Sequence, residues 1–338
     1  GTLRIGLTSK LPYVTGGYTT IDGSTQTTNQ GNLNVAGPEI VIAGGDTLEY
    51  SFILVSPNNF VKSIIFQGFN YGVLVYGNTA TGNTINGCWF GLHPSGNSAA
   101  PNQYGIGLAN GCSTTSITGC LISGNAMGGI GITASGNQTI TLCTIGTNKD
   151  CTTALPNDYG LAVATSASLK ISRSNLAGNN SAGIVLNGAG SFGCTITQNF
   201  IGVDVSGSNA LPNGNGIIFA GAHDNQIGLP GQGNTISGNL QGGIVFNGTG
   251  TRNNKIEANK IGTDFTGTTY VSNHTGVLIK SQSNSNIIGG NSLNGERNII
   301  SGNLEIGVYI EASDSNVVTG NFIGPDVTGM AGFDNNDT

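Results

Sequence analysis

The stretch FIGVDVSGSNALPNGNG, residues 200–216, recurs four more times, and no other feature constrains the fold so tightly. The copies are WFGLHPSGNSAAPNQYG (89–105), TIGTNKDCTTALPNDYG (144–160), KIGTDFTGTTYVSNHTG (260–276) and FIGPDVTGMAGFDNNDT (322–338). All are 17 residues long, and their starts are separated by 55, 56, 60 and 62 residues. Self-similarity at such a period marks stacked structural repeats.

A short apolar segment precedes each copy: TINGC (84–88), TITLC (139–143), TITQN (195–199), KIEAN (255–259) and VVTGN (317–321). Halfway between them come SITGC (116–120), KISRS (170–174), TISGN (235–239) and IISGN (299–303). The terminal residues Cys88, Cys120, Cys143, Ser174, Asn199, Asn239, Asn259, Asn303 and Asn321 are read as one corner per turn. Long and short turns then alternate, and a pair of turns makes the repeat. The remaining apolar segments, such as AGIVLNG (182–188), NGIIFAG (215–221), GGIVFNG (242–248) and TGVLIKS (275–281), are short, β-branched and bounded by Gly, Asn and Ser. That pattern reads as strand and turn, and a turn of about 20 residues cannot hold a helix pair. Stacked turns bring equivalent strands to about 4.8 Å in parallel register.

The spacing therefore predicts an all-β parallel β-helix of roughly ten or eleven turns, with side loops on alternate turns. Residues 1–50 are expected to form an N-terminal cap and the first turns, and residues 51–338 one continuous run of repeats. The corner asparagines are expected to adopt left-handed backbone and to hydrogen-bond to the turns above and below. Cys88, Cys120 and Cys143 would replace the amide by a small buried apolar step. A disulfide, for example Cys143 to Cys151, stays open as the alternative.

Composition narrows the functional classes. Gly supplies 57 of 338 residues, while charged residues are only 8%. Eleven Lys and Arg and a net charge of −6 offer no basic face for nucleic acid, and anionic membranes are disfavoured for the same reason. No apolar run is long enough to insert in a bilayer. No zinc-type Cys pairing, phosphate loop or nucleophile triad is present, so no cofactor is required.

Two sets of candidate site residues stand out. The second residue after each IG, or after FG in the first copy, gives the column His93, Asn148, Asp204, Asp264 and Asp326. Asp in D-x-(S/T)-G builds a turn by accepting backbone N–H bonds. The alternative is a Ca²⁺ site at Asp204, Asp264 and Asp326, since carboxylates and loop carbonyls are hard oxygen ligands. Aromatic residues in or near the repeated stretches, Trp89, Tyr104, Tyr159 and Tyr270, are candidates for stacking on sugar rings, with a cap on the core as the alternative for Trp89. Tyr104 and Tyr159 share one place in the repeat and are expected to pack loop on loop. Lys280 should lie beside Glu311 in the next turn. His223 and Asp224 could share a site with Lys255 and Glu257.

The string GNxIGTDxTGTxxxPNGxG, followed by a strand and NxISGN, resembles a group of bacterial extracellular proteins with parallel β-helix repeats. The closest copies here are FIGVDVSGSNALPNGNG with NTISGN (234–239), and LPYVTGGYTTIDGSTQ (11–26) looks like their lead-in. The resemblance implies a right-handed helix of the pectate-lyase-like superfamily, located outside the cell or on its surface. It implies no single activity. The leading expectation is a structural or adhesive module presenting its loops to carbohydrate or another surface partner. The alternative is a polysaccharide lyase or glycoside hydrolase. The last copy stops before the strand that should follow, so further sequence or a capping segment is expected after 338.

Overall fold

The structure, a computed structural model, describes residues 1–335. Positions 336–338, the end of the fifth copy, lie outside the described residues. Two compact units divide the chain, Gly1–Ala162 and Val163–Thr338. The boundary expected at residue 50 falls inside the strand Ile40–Leu54, which is continuous there.

In both units each turn has three sides, and each side joins a parallel sheet. In the second unit one turn is Thr195–Thr197, Phe200–Ile201 and Asn215–Ala220; the next is Gln226–Ile227, Thr235–Ile236 and Gly242–Asn247. Between these two turns the register is unbroken along every side: Ile196 pairs with Ile227, Ile201 with Ile236, and Ile217 with Ile244. In the first unit the same order runs through Thr84–Asn86, Trp89–Phe90 and Tyr104–Ala109, then Ser116–Thr118, Leu121–Ile122 and Gly128–Thr133. The first side contributes five strands to the first unit and six to the second, in agreement with ten or eleven turns.

Alternation within the strands points one residue in two inward, so like stacks on like. Ile85, Ile117 and Ile140 form one fully buried column in the first unit; Ile171, Ile196, Ile227, Ile256 and Ile288 form its counterpart in the second. Phe66 and Phe90 stack at 5.0 Å, and Phe219 and Phe246 at 4.9 Å. Each buried aliphatic or aromatic side chain contributes about 1.5–3 kcal/mol.

The corners carry three asparagine files in the second unit. One runs Asn199, Asn234, Asn259, Asn298, Asn321; each Nδ2 donates to the Oδ1 of the next at 2.8–3.1 Å. A second runs Asn179, Asn213, Asn239, Asn273, Asn303, Asn335. A third runs Asn225, Asn254, Asn286, Asn316. In the first unit Asn102, Asn125 and Asn157 make the same kind of file.

The expected single corner therefore merged two. Asn239 and Asn303 belong to the second file, while the first passes through Asn234 and Asn298. The motif N-x-I-S-G-N holds both corners five residues apart. The left-handed backbone is also displaced by one position. It falls on the residue before the inward side chain, as at Gln198, Ala258 and Gly238, and not on Asn199, Asn259 or Asn239. The bend made there turns the next side chain inward.

Cys88, Cys120 and Cys143 occupy the corresponding corner in the first unit. Each thiol donates to a carbonyl of the preceding turn, at 3.6–3.7 Å. All six cysteines are buried and none is in a disulfide, so Cys143 and Cys151 are not bridged. Burial pushes the Cys88 thiol up to about 12, and Cys112 and Cys194 to about 11.

Candidate functional site: loops, aromatic residues and a furrow on the long strands

Each of the first four 17-residue stretches carries a small hairpin between a two-residue and a six-residue strand, and the fifth carries one after Phe322–Ile323. The hairpins close through the antiparallel bridges Leu92–Ala99, Thr147–Ala154, Val203–Ala210, Thr263–Tyr270 and Pro325–Gly332. The Asp column sits at their turns. Asp264 Oδ1 accepts the N–H groups of Gly267, Thr268 and Thr269 at 2.9–3.1 Å, and its Oδ2 accepts the Thr266 hydroxyl at 2.6 Å. Asp204 takes Ser206 Oγ at 2.6 Å and Asn209 Nδ2 at 2.8 Å; Asp326 takes Thr328 Oγ1 at 2.6 Å. Asn148 Oδ1 plays the same part for Thr152 N at 2.9 Å.

Burial raises the carboxyls of Asp204 and Asp264, but the hydroxyl, amide and backbone donors outweigh it and hold both below the ordinary range. At Asp326 the Thr328 hydroxyl is the largest cause of a downward shift. At Asp204 and Asp264 both carboxylate oxygens accept bonds within the hairpin, while at Asp326 the bonds converge on Oδ1. No group of three or more His, Cys, Asp or Glu suited to a metal occurs among the described residues. Successive loops are tied together as well: Lys149 N donates to Gly96 O, Phe265 N to Gly207 O and Val327 N to Gly267 O, each at 3.0 Å.

The four aromatic candidates do not converge. Trp89 is 8% exposed and packs with Val41, Ile65, Leu92 and Leu121 beneath the segment containing Ala36 and Gly37. Tyr104 and Tyr159 both open a six-residue strand, so they lie on a sheet face rather than in loops. Tyr104 stacks on Tyr71 of the preceding turn at 5.4 Å, which replaces the expected loop-on-loop packing. Tyr270 is 65% exposed and meets Phe333 edge-on at 6.3 Å. His223 and Asp224 bond to each other at 2.6 Å, while Lys255 pairs with Glu257, which also accepts from Gln226 Nε2 at 3.0 Å. They form two separate pairs.

The concave feature that gathers chemically useful side chains is a furrow of about 660 Å³ on the outer face of the long strands of the second unit. Four successive turns line it. Its floor is the outward file Ile218, Val245, Leu278, Tyr309, held in register by the strand pairing. One margin carries Asn215, Gln241, His274 and Glu305; the other carries Asn247, Lys280 and Glu311. His274 Nε2 lies 3.3 Å from Glu305. Asn215 Nδ2 donates to Gln241 Oε1 at 3.2 Å, and Asn215 Oδ1 accepts from Gly242 N at 3.1 Å. Lys280 and Glu311 share one margin as expected, one turn apart, and do not close into an ion pair. Only this last pair was singled out by the sequence. The floor was hidden because outward Ile, Val and Leu read as core in strands whose inward positions are apolar too.

A coil of parallel strands around an apolar interior, with asparagine files at its corners, defines a β-solenoid. Residues 53–227 match the family described as the right-handed β-helix region, and the chain belongs to it. No curated protein matches in sequence. Solved structures with a similar fold include the A-module of the mannuronan C-5 epimerase AlgE4 of Azotobacter vinelandii, at 12% identity and TM-score 0.45, covering 94% of this chain and 87% of that one. Tailspike protein 3 of bacteriophage CBA120 matches at 13% identity and TM-score 0.47, over 97% of this chain and 56% of that one. The surface adhesin PfbA of Streptococcus pneumoniae matches at 12% identity and TM-score 0.28, over 92% and 90%.

Proposed function

We propose that this protein is a structural or adhesive module, presented outside the cell, that binds a polysaccharide along the furrow of its second unit. One observation carries the reading: an apolar floor with an exposed Tyr309 ring, bordered by amides and charged groups over four turns. Sites for extended ligands combine an apolar surface with a few placed polar groups. Rings such as tyrosine offer large rigid contact area at small entropic cost. The loops are a weaker candidate, because their Asp, Ser and Thr side chains are spent within each hairpin.

The geometry favours binding over catalysis. Glu305 and Glu311 flank one strand six residues apart, about 20 Å at the rise of an extended chain. Paired-carboxylate hydrolysis needs roughly 5–10 Å. Among the described residues no helix is long and apolar enough to cross a membrane.

A glycan array probed with the whole chain tests the reading. Retention of a polysaccharide family is expected, and Tyr309→Ala with Gln241→Ala should weaken it at least about tenfold, the loss of roughly 1.4 kcal/mol. A silent array, retention unaffected by both changes, or cleavage of the retained glycan would overturn it.

A further inference from the structure

Resting on the polysaccharide reading, we infer that the furrow selects an uncharged polymer of N-acetylated hexosamine units. The floor is the first reason. Ile218 and Leu278, both half-buried, present aliphatic carbon on alternate turns, with Val245, only 7% exposed, between them at the strand spacing of about 4.8 Å. A sugar hydroxyl laid there would give up its water without gaining a partner, which is unfavourable. A methyl group gains from the same burial.

The margin is the second reason. Gln241 Oε1 accepts from Asn215 Nδ2, and the exposed Gln241 Nε2 and the Asn247 amide add further donors and acceptors beside the floor. An acetamido group brings one N–H, one carbonyl and one methyl. It can exchange both hydrogen bonds with an amide margin while its methyl reaches the aliphatic file. A 6-deoxy sugar supplies the methyl but leaves the amides unanswered.

Charge is the third reason. One margin sets the Lys280 ammonium one turn from Glu311, and the other sets the His274 imidazole 3.3 Å from Glu305, so neither gathers several charges of one sign. The furrow therefore has no single-sign field to draw in a polyanion or a polycation.

Titrating the whole chain with chito-oligosaccharides, their de-N-acetylated counterparts and cello-oligosaccharides of equal length tests this. The N-acetylated set should bind about fourfold more tightly for each methyl seated on the floor, the equivalent of about 0.8 kcal/mol per buried carbon. Its affinity should stay unchanged between low and high salt. Leu278→Asn should abolish the preference, and Leu278→Met should restore most of it. Equal binding of the acetylated and cello sets, binding of neither, a preference for 6-deoxy polymers, or tightest binding to a polyanion would overturn the inference. The polysaccharide reading falls separately, only on the outcomes given for the array.

Discussion

Removing the amide of Asn259 should destabilise the second unit far more than removing one at the end of a file. Asn259 is fully buried, and its Nδ2 donates to Ile227 O and Glu257 O at 2.8 Å and to Asn298 Oδ1 at 3.1 Å. Its Oδ1 accepts both the backbone N–H and the Nδ2 of Asn234, at 3.0 and 2.8 Å. Asn259→Ala leaves the backbone N–H of the buried Asn234 and one of its two Nδ2 hydrogens without a partner, the other still donating to Ile196 O. Each orphaned buried donor costs about 1–3 kcal/mol, so the pair predicts a loss near 4 kcal/mol. Asn316 ends its file and is half-buried; it accepts the N–H and Nδ2 of Asn286 at 2.9 and 3.1 Å. Water can reach that site, and Asn316→Ala should cost about 1 kcal/mol. Urea denaturation of the whole chain gives the comparison, with a constant slope as the control. Hydrogen exchange at the Asn234 amide gives the local opening free energy. A loss below about 1 kcal/mol at Asn259, or one no larger than at Asn316, would show that the amide files do not hold the corners.

Gly262 has φ +94°, and a Cβ there would lie 2.4 Å from Ser301 O, whereas Gly248 at φ +93° has open space. Gly262→Ala should therefore cost about 3 kcal/mol in a denaturation series and Gly248→Ala about 1–2, the price of positive φ alone. Equal losses would remove the steric argument. The depressed carboxyls of Asp204 and Asp264 contribute stability that is fully present above the ordinary carboxylate range near pH 4 and fades as the pH falls through their folded values. Asp264→Asn should flatten the acid limb of a stability-against-pH curve below about pH 4, and an unchanged limb would refute the assignment. Thiol reagents at pH 8 should label Cys88, Cys112 and Cys194 only after denaturant is added, since burial keeps these thiols protonated. Trp89 should resist collisional quenching, and its emission should not move when a glycan binds, because it lies beneath the N-terminal segment of the first unit. A ligand-dependent shift would return it to the site.

The sequence exposed the winding because inward Ile, Val and Phe recur at the strand period, and because turn chemistry repeats almost letter for letter. Asparagine files were legible as a kind of contact but not as an address. Asn234 and Asn239 sit in one short motif, and which turn each faces depends on the bend between them. Trp89 was legible as a ring for sugar or a cap on the core, and what covers it, a segment some fifty residues upstream in the chain, was not. The furrow escaped for a related reason. Strands with apolar residues on both faces carry no alternation to say which side meets water, so Leu278 and Val245 looked like interior. The Asp column was legible as a turn former, and its hydrogen bonds are those of the turn.

The bond from Phe265 N to Gly207 O, with Lys149 N to Gly96 O and Val327 N to Gly267 O, has a consequence for how such a chain lengthens or shortens. A hairpin reaches its next neighbour only across an intervening turn without one, at which Gly238 N meets Val271 O. Deleting one turn would set two hairpins in the same space or pull them out of reach, while deleting two restores every contact. Natural or engineered variants in length should therefore differ by even numbers of coils, and an odd-numbered change should be found only where a hairpin has been lost with it.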